Sequence, residues 1–217
     1  MPATPRSSLK CPRTWCPLGE RFNTLSHLTA LIACAVGGTW LLRKAIATGS
    51  ALMAIGTAVF CLSVAALYLS SALFHGSTGA RKLSWQRADH ACIYLLIAGS
   101  HTPFALAGSI GLWTWAILAA VWALAVWGVL QALRSNVPPR LPLYMGLGWL
   151  GLLGAVPAAR NIGHTTLFWL IAGGLMYSAG TLFYRQFIRL QHSHGIWHCF
   201  VVAGTVSHGV AVSFAVG

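Results

Sequence analysis

The sequence predicts an all-α integral membrane protein, a bundle of seven transmembrane helices with a cytoplasmic N-terminus and an external C-terminus. Three observations predict it. First, 57% of the 217 residues are hydrophobic and only 7% are charged, with a mean hydropathy of +0.70. A soluble domain carries about a quarter charged residues, so this composition excludes both an ordinary globular fold and a disordered chain. Second, long charge-free stretches are punctuated by Lys and Arg in twos and threes. Third, those basic residues are distributed unequally between alternate ends of the stretches, as the positive-inside rule demands.

The spans follow in order from the charge-free stretches at 22–42, 45–80, 90–133, 141–159, 161–184 and 190–217. About 20 apolar residues cross a bilayer as a helix. The stretch 90–133 is 44 residues long, or about 66 Å as one helix, roughly twice the hydrocarbon core. It must fold back, and Gly108-Ser109-Ile110-Gly111 is the turn it offers. The stretch 45–80 holds one helix and a loop. Seven spans result, near 23–42, 51–74, 90–108, 112–132, 141–158, 164–184 and 195–215. Gly146, Gly148, Gly151 and Gly154 predict close helix contacts on the fifth span, and Pro157 predicts a kink near its end.

Of 14 Lys and Arg, eleven fall on the N-terminal side: Arg6, Lys10, Arg13, Arg21, Arg81, Lys82, Arg87, Arg134, Arg140, Arg185 and Arg189. Arg43, Lys44 and Arg160 fall on the other. Residues 1–19 read as a cytoplasmic tail without the apolar core of a signal peptide, and 20–217 as one membrane domain. The dispersal of the basic residues argues against nucleic acid as a partner, since that would need one basic patch. Cys34, Cys61, Cys92 and Cys199 lie in apolar runs, where a thiol behaves as a small hydrophobe. Cys11 and Cys16 read as unpaired cytosolic thiols.

An ionisable residue inside hydrocarbon is costly and is a functional candidate by default. The chain has two acids, Glu20 before span one and Asp89 opening span three. His75 closes span two, and His194 and His198 open span seven. The alternation of spans brings all five to one membrane level at the cytoplasmic face, leaving the opposite half almost wholly apolar. His194 and His198 are spaced i, i+4 and share a helix face. With His75 they offer three nitrogens and leave one open position, the pattern of a catalytic zinc. Asp89 is placed to hold the metal's water or to orient a ligand, and Ser71 lies one turn below His75 on the same face. On spacing alone a metal site and an interfacial hydrogen-bond cluster both remain open. His90, His101 and His164 read as packing or interfacial groups. His27 and His208 lie deeper, and His208 is too distant for ligation but suits a polar link inside the bundle.

The segments Glu20-Arg-Phe-Asn23-Thr-Leu-Ser26-His27, Ser71-Ala-Leu-Phe-His75 with Asp89-His90, and His194-Gly-Ile-Trp-His198 followed by His208 resemble the hemolysin III family, the bacterial branch of the progestin and adipoQ receptor superfamily. The stretch Ile93–Phe104 fits the same pattern, with His101 standing where bacterial members more often carry Tyr. The resemblance covers roughly residues 19–217. It implies seven helices in a bacterial plasma membrane and a Zn2+ held by His75, His194 and His198. It implies further that Asp89 binds the metal's water with Ser71 beside it, while Glu20, Asn23, His27 and His208 support the site. The superfamily is similar to the alkaline ceramidases, which implies hydrolysis of lipid amide or ester bonds with a membrane lipid as substrate. Two other readings stand beside that one: a membrane-state sensor with a structural zinc, and a pore-forming hemolysin. The apolar opposite half places the pore last, because a conducting path needs polar groups along its length.

Overall fold

The computed structural model describes residues 18–107, 111–134, 140–155, 159–185, 190 and 192–216. Cys11, Cys16, Gly108 to Ile110 and Pro157 lie outside them, and with them the expected turn and the expected kink. Among the described residues there are seven α-helices and no strand: α1 Arg21–Ala47, α2 Ala51–Gly76, α3 Ala80–Ala107, α4 Leu112–Arg134, α5 Leu141–Ala155, α6 Ala159–Tyr184 and α7 Ser193–Ala215. A single 3-10 turn, Leu18–Glu20, leads into α1. The protein is a multi-pass helical membrane bundle.

Local chemistry sets the helix ends. Gly49 supplies a positive φ of 73° at the turn after α1, and the Ser50 hydroxyl caps α2 by accepting from the Met53 amide at 3.3 Å. Such a cap satisfies one of the orphan donors of a helix start. In α6 the backbone breaks at Gly163 (φ 78°, ψ 154°), a conformation only glycine adopts without strain. The apolar part of α6 begins there, so the span Gly163–Tyr184 matches the expected one.

Two elements differ from expectation. Helix α3 starts ten residues earlier than its hydrophobicity suggests, because Lys82 and Arg87 extend it past the apolar region and Lys82 finds a partner, as described below. Helix α5 has 15 residues, about 22 Å at 1.5 Å per residue, which is shorter than the hydrocarbon core. Among the described residues six helices are long and apolar enough to cross a membrane, and α5 is a shorter apolar helix. Its glycines divide in role: a Cβ at Gly151 or Gly154 would strike His101 or Ile117, whereas Gly146 and Gly148 have nothing within 4 Å. Gly148 instead faces a cavity.

Helix α2 packs on α1 and α3, α3 on α4 and α5, α6 on α7, and α7 closes the bundle against α1. At one end Glu20 contacts His75 and Lys82, joining the starts of α1 and α3 to the end of α2. At the other end Lys44 Nζ donates to the Ser213 carbonyl at 2.6 Å, joining the ends of α1 and α7. Helices α1 and α7 are therefore parallel, and Glu20 and Ala215 lie at opposite ends of the bundle. A reporter fused after Gly217 is expected to read as external, and one inserted in 76–88 as cytoplasmic. Finding both on one side would contradict this topology.

Candidate metal centre

Three imidazoles converge where the end of α2 meets the start of α7. His75, His194 and His198 each offer a nitrogen, and these nitrogens all lie within 4.8 Å of one another. Their rings are 4.7–5.0 Å apart. His75 and His198 are buried and His194 is half-buried. The i, i+4 spacing on α7 puts two of them on one face, and Gly195 between them lets α1 approach. A Cβ there would lie 2.1 Å from the Phe22 ring and 3.0 Å from the Asn23 side-chain oxygen.

Groups on α1 and in its leading turn set the tautomers. His75 Nδ1–H donates to Glu20 Oε2 at 2.7 Å. His198 Nδ1–H is shared between the Asn23 carbonyl at 3.2 Å and the Ser26 hydroxyl at 3.1 Å. With the protons on Nδ1, both rings turn an Nε2 lone pair inward, the usual way a second partner orients a ligand histidine. His75 Nε2 then faces His194 Nε2 at 3.2 Å, and His198 Nε2 is buried with no partner among the described residues. Without a metal the His194 Nε2–H can donate to His75 Nε2, but the buried His198 Nε2 is left orphaned, which is costly unless a cation or donor meets it. Two nitrogens each about 2.0–2.1 Å from one tetrahedral ion stand about 3.3–3.4 Å apart, close to what is found. The donor set fits a metal ion.

Glu20 is the anchor of this arrangement. It accepts from Asn23 Nδ2 at 2.8 Å, His75 Nδ1 at 2.7 Å and Lys82 Nζ at 2.9 Å. Burial alone would raise its pKa, but the hydrogen bonds from Lys82, Asn23 and His75 outweigh that and hold it down to about 2. The carboxylate is therefore ionised at neutral pH and holds the His75 proton on Nδ1, leaving Nε2 free to bind a metal. Glu20→Gln, which keeps the shape and loses the charge, is expected to weaken affinity for added Zn2+ by about 10- to 100-fold. Chelator competition measures this, and an unchanged affinity would show that His75 needs no such anchor.

The other expected site residues occupy distinct places. His27 is fully buried and stacks on His198 at 3.8 Å with rings 6° from parallel. It braces the His198 ring. Asp89 is buried, and the Ser71 hydroxyl neighbours its carboxyl without making a hydrogen bond of its own. Asp89 and His27 both line a cavity of about 120 Å³ between α3, α5, α6 and α7, whose walls are otherwise mostly apolar. His208 is ten residues beyond His198 and takes no part in the three-histidine group. It donates from Nε2 to the Leu170 carbonyl at 3.1 Å. The expectation of an almost wholly apolar opposite half needs correction: His101, His208, Tyr177 and Thr205 form a buried polar group there. Their polarity was diluted among apolar neighbours in the sequence, and packing between helices shelters them from lipid.

Two groups were not anticipated as parts of the site. Lys82 counted only as a topological charge, yet its ammonium holds Glu20 across 62 positions of sequence. Tyr184, at the end of α6, places its ring 6.2 Å from that of His194 and 4.8 Å from that of Trp197. Neither carries a local sequence signal, since each acquires its partner only when distant helices meet.

These features define a class: a multi-pass helical membrane protein whose buried histidine cluster can hold a metal ion. The chain belongs to the family described as Haemolysin-III related, whose profile matches residues 17–209. It is 31% identical over 199 residues to the hemolysin-3 homolog of Bacillus subtilis (strain 168), covering 90% of this chain and 93% of that protein. It is 32% identical over 202 residues to hemolysin-3 of Bacillus cereus, covering 91% of each. A more distant similarity, 23% over 205 residues, reaches the monocyte to macrophage differentiation factor of Homo sapiens, covering 88% of this chain and 81% of that protein.

Proposed function

We propose that this protein is a zinc-dependent hydrolase of lipid amide or ester bonds, acting in a bacterial plasma membrane on lipids of that membrane. One observation carries the reading: the three converging imidazoles are joined, through the stacking of His198 on His27, to a largely apolar cavity that His27 and the buried carboxylate of Asp89 both line. Three nitrogen ligands and an open fourth position suit zinc in a catalytic role, whereas structural sites are usually closed by four ligands. When bound, zinc lowers the pKa of water from 15.7 to about 7 and polarises a carbonyl. His75, His194 and His198 hold the ion, with Glu20 keeping His75 in register and Asn23 and Ser26 keeping His198 in register. Asp89 accepts a proton from the attacking water and passes it to the leaving amine or alkoxide. Water adds to the acyl carbon as the C–N or C–O bond breaks, giving a carboxylic acid and an amine or alcohol. Ser71, beside Asp89, offers a hydroxyl to the same centre. The apolar walls take the acyl chain and keep bulk water out, which strengthens the electrostatic contacts inside.

The test is lipid turnover by zinc-loaded protein in detergent or liposomes, followed as release of fatty acid from amide- and ester-linked substrates. Turnover that disappears on chelation and returns with Zn2+ supports the reading. A zinc-replete protein without turnover on either class would point to the sensor with a structural metal.

A further inference from the structure

A groove of about 340 Å³ runs between α1, α2 and α7, apart from the histidine cluster. Its walls are largely apolar and extend from Ala30 to Leu41 on α1 and from Val202 to Ser213 on α7. On both helices this is mostly the C-terminal half. At 1.5 Å per residue the groove is about 17 Å long, close to half of the roughly 30 Å hydrocarbon core. It therefore occupies one leaflet, the outer one by the distribution of basic residues. Trp40 and Val206 on its rim are 57% and 59% exposed, so it opens sideways, where lipid lies. A Cβ at Gly37 would meet nothing within 4 Å, and the missing side chain keeps the groove open.

A cation stands at the outer end. Lys44 Nζ donates to the Ser213 carbonyl at 2.6 Å and lies 5.8 Å from the centre of the Trp40 ring. Ser213 and Trp40 both line the groove. An ammonium carries three donors, and this bond uses one. Neither acid of the chain is placed to neutralise it. Glu20 lies at the opposite end of the bundle, and Asp89 lies in the first half of α3, which starts at that same opposite end. Arg43, exposed beside Lys44, adds a second positive charge. A half-buried cation against apolar walls calls for a counter-charge, and here it must come from outside the helices. A phospholipid brings both parts, a phosphate at the edge of the hydrocarbon and an acyl chain beneath it.

We propose that this groove binds an anionic phospholipid, with one acyl chain along α1 and α7 and the phosphate accepting from the Lys44 ammonium. The groove has the length of a chain in one leaflet, and its cation stands where the headgroup begins. The site is independent of the hydrolase reading, since His75, His194, His198 and Asp89 do not line it.

The test uses phosphatidylglycerol and phosphatidylcholine that carry the same diazirine-bearing acyl chain. Each is photo-crosslinked to the protein in liposomes, and the adducts are mapped by peptide mass spectrometry. Adducts within 30–41 and 202–213 are expected to be about fivefold more abundant with phosphatidylglycerol, the scale of one basic residue facing an anionic lipid. Lys44→Met, which keeps the stem and loses the charge, should bring that ratio to about one. Gly37→Leu should remove the adducts of both lipids from these segments, because the added side chain occupies the groove, while adducts elsewhere persist. If either variant fails to fold, the wild-type ratio at these segments decides. Equal labelling of the wild type by both lipids overturns the headgroup contact and the proposal with it. Absence of adducts from these segments overturns it as well, and a dimer that Gly37→Leu dissociates would then identify a second copy as the occupant. Neither result bears on the metal centre or on lipid turnover.

Discussion

Asp89→Asn is expected to purify with its zinc and its fold intact, and to turn over lipid roughly 100-fold or more slowly than wild type. Asp89 is buried and opens into the cavity beside Ser71. It lies outside the three-histidine group, so its loss removes no ligand nitrogen. Asn has nearly the same shape and still hydrogen-bonds a water, yet it is a far poorer base. The substitution therefore removes proton transfer while sparing packing. Zinc content and product formation should be measured in one preparation. Undiminished turnover in a zinc-replete variant would defeat the assigned role. Loss of zinc would instead mark Asp89 as part of what holds the site together. If the metal is only a structural brace, the variant should keep its cellular phenotype and change stability modestly.

Wild-type protein purified without chelators is expected to carry about one zinc per chain, and His75→Ala, His194→Ala and His198→Ala should each lose most of it. The reason is arithmetic as well as chemical. With three protein ligands, removing one leaves two, too few to hold the ion against water. His198→Ala should be the most severe, because it also removes the ring on which His27 stacks. His208→Ala should retain the metal, since its ring bonds the Leu170 carbonyl at the far level of the bundle. A wild-type preparation without stoichiometric metal would sink the assignment, and zinc loss in His208→Ala would show that the two polar ends are coupled.

Much of the fold was legible because a membrane imposes a one-dimensional rule. Every backbone polar group must be satisfied within its own helix, so the six runs between charges could be counted, and with the longest folded back on itself they give the seven helices among the described residues. The ends were less legible where interactions other than hydropathy decide them. Helix α3 begins at Ala80 because Lys82 reaches Glu20, a contact no hydropathy window contains. Likewise the short α5 and the break at Gly163 are backbone choices inside a stretch that reads as uniformly apolar.

The candidate site divides in the same way. The sequence by itself determined which residues reach one membrane level, since an odd or even count of crossings decides on which side each helix end falls. That alone brought Glu20, His75, Asp89, His194 and His198 to a common depth. Depth is one coordinate, however, and ligation needs three. Only the tertiary structure decided that the Glu20 carboxylate, Asn23 carbonyl and Ser26 hydroxyl face the outer nitrogens of the ligand rings, turning the inner ones toward each other. It also decided that His101 and His208, 107 positions apart in the sequence, line the same cavity. The physical reason is that hydrogen bonds and ring contacts are set by the rotation of each helix about its axis. Side chains packing between helices fix that rotation, and nothing in a single span's order of residues records which neighbour it will meet.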